Sequence, residues 1–154
     1  MTAVLPYDLV TLSEGGTIPG RYDDIDLTAT RQMGRAAARG KELRQKHRRG
    51  GTDKGRRMAN RILSGDRIHP DNVRDMFAFF SRFAAEAQRQ RGTERWDTTS
   101  DRVGPLRIAW DLWGGDGGRA WSRRKRDQLD QADREETRRT HEAVGPVLRA
   151  VDIQ

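Results

Sequence analysis

The sequence predicts an all-α fold: a small bundle of four to five helices, with an extended N-terminal arm and a charged helical C-terminal extension. Three observations carry that expectation. From Thr30 onward, apolar residues recur at spacings of three and four, the repeat of one helix face. Residues that start or stop helices flank these runs, with Thr52, His69-Pro70 and Pro105 before them and Gly50-Gly51 and Ser64-Gly65 after. Finally, 34% of the 154 residues are apolar and 34% are charged, so the core is small for the length and part of the chain stays unpacked.

Residues 1–29 form the arm. Their "SEGGTIPG" stretch is rich in glycine and proline and shows no helical period. Residues 30–129 are the core domain. Its first helix, "RQMGRAAARGKELRQKH", is capped by Thr28 or Thr30 and carries an apolar stripe of Met33, Ala36, Ala37 and Leu43. Gly50 and Gly51 end it, since glycine enters the left-handed conformation at little cost. Thr52 caps the second helix, "DKGRRMANRIL", with Met58, Ala59, Ile62 and Leu63 facing inward.

The third helix opens at Pro70, where the missing N–H costs nothing, and Asp71 complements the positive end of the helix dipole. Val73, Met76, Phe77, Phe80, Phe83, Ala84 and Ala87 repeat along it and make it the central core element. A polar loop, "RGTERWDTTSDRVG", leads to a fourth helix from Pro105 to Trp113, whose inner face holds Leu106, Ala109, Trp110 and Trp113. Asp116 is expected to cap a fifth helix bearing Trp121 and Leu129. Residues 130–154 are the charged extension, in which Val144, Val147, Leu148 and Val151 form a short apolar stripe suited to docking on a neighbour or a second copy.

The fourth and fifth helices meet at "IAWDLWGGDGGRAW", which raises a choice between a phosphate cradle and a structural corner. Backbone N–H groups at a helix start can hold a phosphate. Here the Asp116 carboxylate would repel one, and the Lys-Ser/Thr ending and preceding strand of a P-loop are missing. The corner reading asks only that Gly114 and Gly115 end one helix, Asp116 cap the next, and Trp121 fold back towards Trp110 and Trp113. Each buried indole removes on the order of 200 Å² from water, enough to fix such a corner.

Net charge is +7, but its placement matters more. Residues 1–28 hold one Arg against five acids, residues 29–67 hold thirteen Lys and Arg against three acids, and the remainder is near balance. A localised basic block is the electrostatic footprint of a polyanion binder. The expected contacts on the first two helices are Arg35, Arg39, Lys46, Arg48, Arg49, Lys54, Arg56, Arg57 and Arg61. A second set, Arg123, Arg124, Lys125 and Arg126, stands in the opening turns of the fifth helix, where positive charge opposes the dipole by about 0.3–1 kcal/mol per residue. Such contacts would be to phosphates and insensitive to sequence, because the third helix is too apolar to read a groove.

Other chemistry has little support. Cysteine is absent, and His47, His69 and His141 lack metal-ligand spacing. The acids of "DDID" at 23–26 and the Asp111/Asp116 pair fit a polar arm and a helix cap better than a magnesium site. No serine sits in a nucleophile elbow and no carboxylate pair lies in an apolar run, so neither catalysis nor a cofactor is expected. No apolar run is long enough to span a membrane, and the N-terminus lacks the features of a signal peptide, so the chain reads as a soluble protein.

Three stretches, "AAARGKELRQKHRRGGTDKGRRMANRILSG", "HPDNVRDMFAFFSRF" and "RIAWDLWGGDGGRAWSRRK", together resemble a small module of tailed-phage structural gene clusters. That module occurs alone, or beside or fused to prohead-protease and head-morphogenesis proteins. The likeness runs from about Ala36 to Lys125 and is most specific in the Ala-Trp-x-x-Trp-Gly-Gly-Asp run at Ala109–Asp116. The chain departs from the pattern at His69, where the module has Ser or a similar cap, and in "FAAEAQ", where it has a His-Glu-Val-Asp stretch. The resemblance implies a phage protein of the host cytoplasm during assembly, or of the virion, and names no reaction. Two functions stay open: non-specific nucleic-acid binding through the basic helices in head assembly or DNA handling, and a protein-interaction or structural module of capsid assembly whose basic face meets an acidic phage structural protein.

Overall fold

The computed structural model describes the backbone of residues 20–153 and the side chains of residues 20–143. Among them are five α-helices and no strand: α1 (Arg31–His47), α2 (Asp53–Ser64), α3 (Pro70–Gln90), α4 (Pro105–Leu112) and α5 (Gly115–Ile153). A single 3₁₀ turn, Glu94–Trp96, interrupts the polar loop before α4. The first nineteen residues of the arm, and the side chains of Val144, Val147, Leu148 and Val151, lie outside the described residues.

Contacts divide the described residues into Ile25–Gln131 and a second unit that joins residues 20–24 with residues 132–153. In the second unit Gly20–Asp24 forms a turn closed by the Asp23 carboxylate on the Gly20 N–H at 2.6 Å. Arg21 and the Tyr22 hydroxyl both donate to Asp133 of α5.

The larger unit is built where the apolar periodicity predicts. Thr30 caps α1, its hydroxyl accepting from the Met33 N–H at 3.2 Å, and Thr52 caps α2 in the same way through Gly55. His69 caps α3 with its ring, Nδ1 accepting from Asp71 at 3.0 Å. Met33, Ala36, Ala37, Met58, Ala59, Ile62, Val73, Met76 and Phe80 are all buried, as are Ile108, Trp110 and Leu112 of α4. Leu63, grouped by spacing with the inner face of α2, is 43% exposed.

Three local differences from the sequence expectation have physical reasons. The C-terminus of α1 is capped by Arg48, at φ 53°, whose N–H donates to the Arg44 carbonyl. Gly50 and Gly51 instead let the following turn lie against α4, because a Cβ at either would fall 2.7 Å from Ile108 or 2.4 Å from Leu112. Asp116 sits inside the first turn of α5 and caps nothing; its carboxylate takes the Trp110 indole N–H at 2.8 Å and Arg91 at 2.6 Å. Leu27, assigned to the arm, is fully buried, and its carbonyl accepts from the Ile68 N–H.

The corner has its own arrangement. Gly114 and Gly115 both take positive φ, at 109° and 67°, between α4 and α5. Trp110 and Trp113 are buried against α3, with Phe80 edge-on to Trp110 and Phe79 stacked on Trp113 at 4.8 Å. Trp121 is buried too, but it does not fold back onto those rings: its indole N–H donates to the Thr28 carbonyl. Trp96, within the loop, completes the cluster, lying edge-on to Trp110 with the guanidinium groups of Arg91 and Arg107 each 5.0 Å from its ring.

Candidate nucleic-acid interface

The turn from α1 to α2 forms an open basin of about 580 Å³ lined by Lys41, Arg44, Arg48, Arg49 and Arg56 together with Gln45, Gly50 and Gly51. Helical spacing explains part of the grouping: Lys41 and Arg44, three residues apart, share one side of α1, and the left-handed C-cap residue Arg48 follows at its end. The tight glycine turn then brings Arg49 and Arg56 round to the same place.

What holds these cations decides their use. Lys41 donates to the Asn60 side-chain oxygen at 2.6 Å, Arg49 to the Asp101 carbonyl at 2.6 Å, and Arg44 to the Gly50 carbonyl at 3.2 Å. Those partners are neutral, so they orient the side chains and leave the charge in place. Among the described residues Asp53, its side chain 71% exposed, is the one carboxylate paired with the group, at 3.5 Å from Arg44 and 3.9 Å from Arg56. Such loose exposed pairs are worth little and yield to a better anion. The Arg48 side chain is exposed, with no partner among the described residues.

Of the cations expected at the interface, three line this basin: Arg48, Arg49 and Arg56. Arg39 is drawn inward, its guanidinium gripping the fully buried Asp111 of α4 with bonds of 2.8 and 3.1 Å, and this hydrogen bonding raises its pKa above the ordinary arginine value. Arg39 is therefore removed from the interface. Lys54 pairs with Asp75 at 3.3 Å. Arg35 lines a separate small pocket with Arg39, Arg107, Asp111 and Asp116. Lys46, Arg57 and Arg61 are exposed outside the basin.

Within the second cationic set, Arg123 and Arg126 line a groove with Arg119, Phe77 and Phe80 that shares no residue with the basin. Arg126 lies 3.9 Å over the Phe77 ring and pairs with Asp127 and Asp130, so much of its charge is spent within the fold. Arg124 and Lys125 line neither. The two basic segments thus form distinct sites, and the early one is the better built.

Lys41 and Arg44 were not among the expected contacts, though their spacing to Arg48 was visible in the sequence. Near the corner, burial lowers the Arg107 pKa, opposed by the nearby Asp111 charge. Partial burial would raise Asp116, but its hydrogen bonds from Arg91 and Trp110 outweigh it and hold the carboxyl below its ordinary value. Among the described residues, no group of three or more His, Asp or Glu is placed to hold a metal ion, and no helix is long and apolar enough to cross a membrane. No protein-family model, curated protein or solved structure matches the chain.

Proposed function

We propose that the protein is a non-enzymatic nucleic-acid binder that grips phosphates without regard to sequence through the basin between α1 and α2. The observation that carries this is the set of five cations round one open basin, three of them oriented by neutral oxygens, with a single exposed carboxylate beside them. A polyanion can replace water and Asp53 there without breaking a buried pair. The resemblance to the tailed-phage module suggests a role in head assembly or DNA handling.

Fluorescence anisotropy with labelled DNA across a salt series tests the proposal. Contacts from all five basin cations predict a slope of log K against log salt of about −3.5 to −4.5. The combined Arg48→Gln, Arg49→Gln and Arg56→Gln variant should weaken binding equally for unrelated sequences and reduce the slope by about 2 to 3. Absence of binding at low micromolar protein and low salt defeats the proposal. It would leave the capsid-assembly reading, with an acidic protein as the basin's partner.

A further inference from the structure

Beside the basin, between α3 and α4, runs a second groove of about 490 Å³, within the roughly 300–1,000 Å³ range of sites that enclose small ligands. Its walls are Phe79, Phe83, Leu106 and Trp113, and Arg82 and Arg95 stand among its lining residues. The aromatic wall is preset: Phe79 lies parallel to Trp113 and is tilted against Phe83 at 5.1 Å. Glu86, the carboxylate on the lining, is occupied by Arg89 and by the Gln90 side-chain amide. Gly51 lines both this groove and the basic basin, so the two adjoin at the glycine turn.

Resting on the basin being a phosphate site, we infer that the preferred ligand is single-stranded nucleic acid, with an unpaired base seated in the aromatic groove while its neighbouring phosphates lie in the basin. An occupant of both must be anionic along one part and flat and apolar on the next. A single strand has that make-up in every nucleotide, and base stacking on aromatic side chains tolerates any sequence. A duplex presents its phosphates to the basin but keeps its base faces inside the stack, so it can use only half of the combined surface. Arg82, 5.2 Å over the Phe83 ring, and Arg95 add positive charge to the groove itself, which suits the backbone of a strand whose base it holds.

The experiment uses the full chain and three labelled probes of equal length: a thymidine oligomer of about twelve nucleotides, an abasic oligomer with the same backbone, and a duplex. The thymidine oligomer should bind about tenfold more tightly than the abasic one, as expected for one stacked base. Phe83→Ala should erase that difference while leaving abasic binding unchanged. Phe83→Leu, which keeps more of the apolar volume, serves as the second variant, and thermal melting verifies that each folds. The Arg48→Gln, Arg49→Gln and Arg56→Gln variant should lose both oligomers together. Equal binding of thymidine and abasic oligomers, or tighter binding of duplex, overturns the single-strand inference and leaves the basin proposal intact. Failure of all three probes overturns both. Tighter binding of polyglutamate or of anionic phosphatidylglycerol vesicles, at equal charge concentration, assigns the groove to a peptide or a lipid and likewise overturns the inference.

Discussion

Along α1, arginines one turn apart meet opposite fates. Arg39 turns into the bundle, where the Asp111 carboxylate, with no exposed surface, binds it through two hydrogen bonds and Arg107 approaches the same acid at 3.7 Å. Arg44, five residues later, is held by a backbone carbonyl and pairs loosely with the exposed Asp53 at 3.5 Å, and the Arg48 side chain has no partner among the described residues. The inner arginine stabilises the fold by compensating a buried acid, and its charge is already used. The outer ones are not neutralised by a buried acid. A count of cations in the sequence therefore overstates the interface, and the identity of each partner oxygen, carboxylate or carbonyl, sorts them.

The contrast breaks most visibly at the inner site. Asp111→Ala takes from Arg39 and Arg107 the buried carboxylate they approach, leaving Asp116 as the acid of that pocket, and should cost about 3 kcal/mol of stability in denaturant unfolding; Arg39 keeps enough solvent to hold the loss near the low end for a broken buried pair. Arg56→Ala in the basin should change stability by less than about 0.5 kcal/mol. If the two variants unfold at the same denaturant concentration, the division between structural and available cations is wrong.

A smaller effect tests how α1 reaches Asp111. Gly40 lies against α4, and a Cβ there would fall 2.6 Å from the Leu112 backbone nitrogen. Gly40→Ala should push the helices apart and destabilise by about 2 kcal/mol, the scale of overpacking a tight contact. Denaturant unfolding of the variant beside the parent chain measures the loss.

The mildest probe is pH. The folded Asp116 carboxyl titrates below its ordinary value, so its contribution is complete above the unfolded pKa, about pH 4, and is lost as pH falls through the lower folded value. Unfolding midpoints across that acidic window should drop less in Asp116→Asn than in the parent chain. An identical pH response would show that the contacts with Trp110 and Arg91 do not contribute.

The helices were legible because their signals are local. Caps at Thr30, Thr52 and His69 and the apolar repeat of α3 each lie within a few residues of what they determine. What sequence reading missed depends on partners far along the chain. Arg39 and Asp111 are 72 residues apart, and nothing near either shows that they pair. Leu27 is buried by Ile68 and its surroundings without any periodicity of its own. Gly50 and Gly51 looked like a helix stop because glycine suits one, whereas the room they give Ile108 and Leu112 depends on α4. The basin was half visible: the cationic block was plain, but which members converge follows from the turn's geometry.

Arg48 adopts a left-handed backbone that costs an L-residue roughly 1–2 kcal/mol, and it is the one non-glycine residue among those described to do so. A glycine there would relax the chain and discard a charge that no internal acid claims. If the proposed basin is the site, durability and grip on a ligand are traded against each other at this position, so selection for a hardier protein alone would favour replacing the arginine.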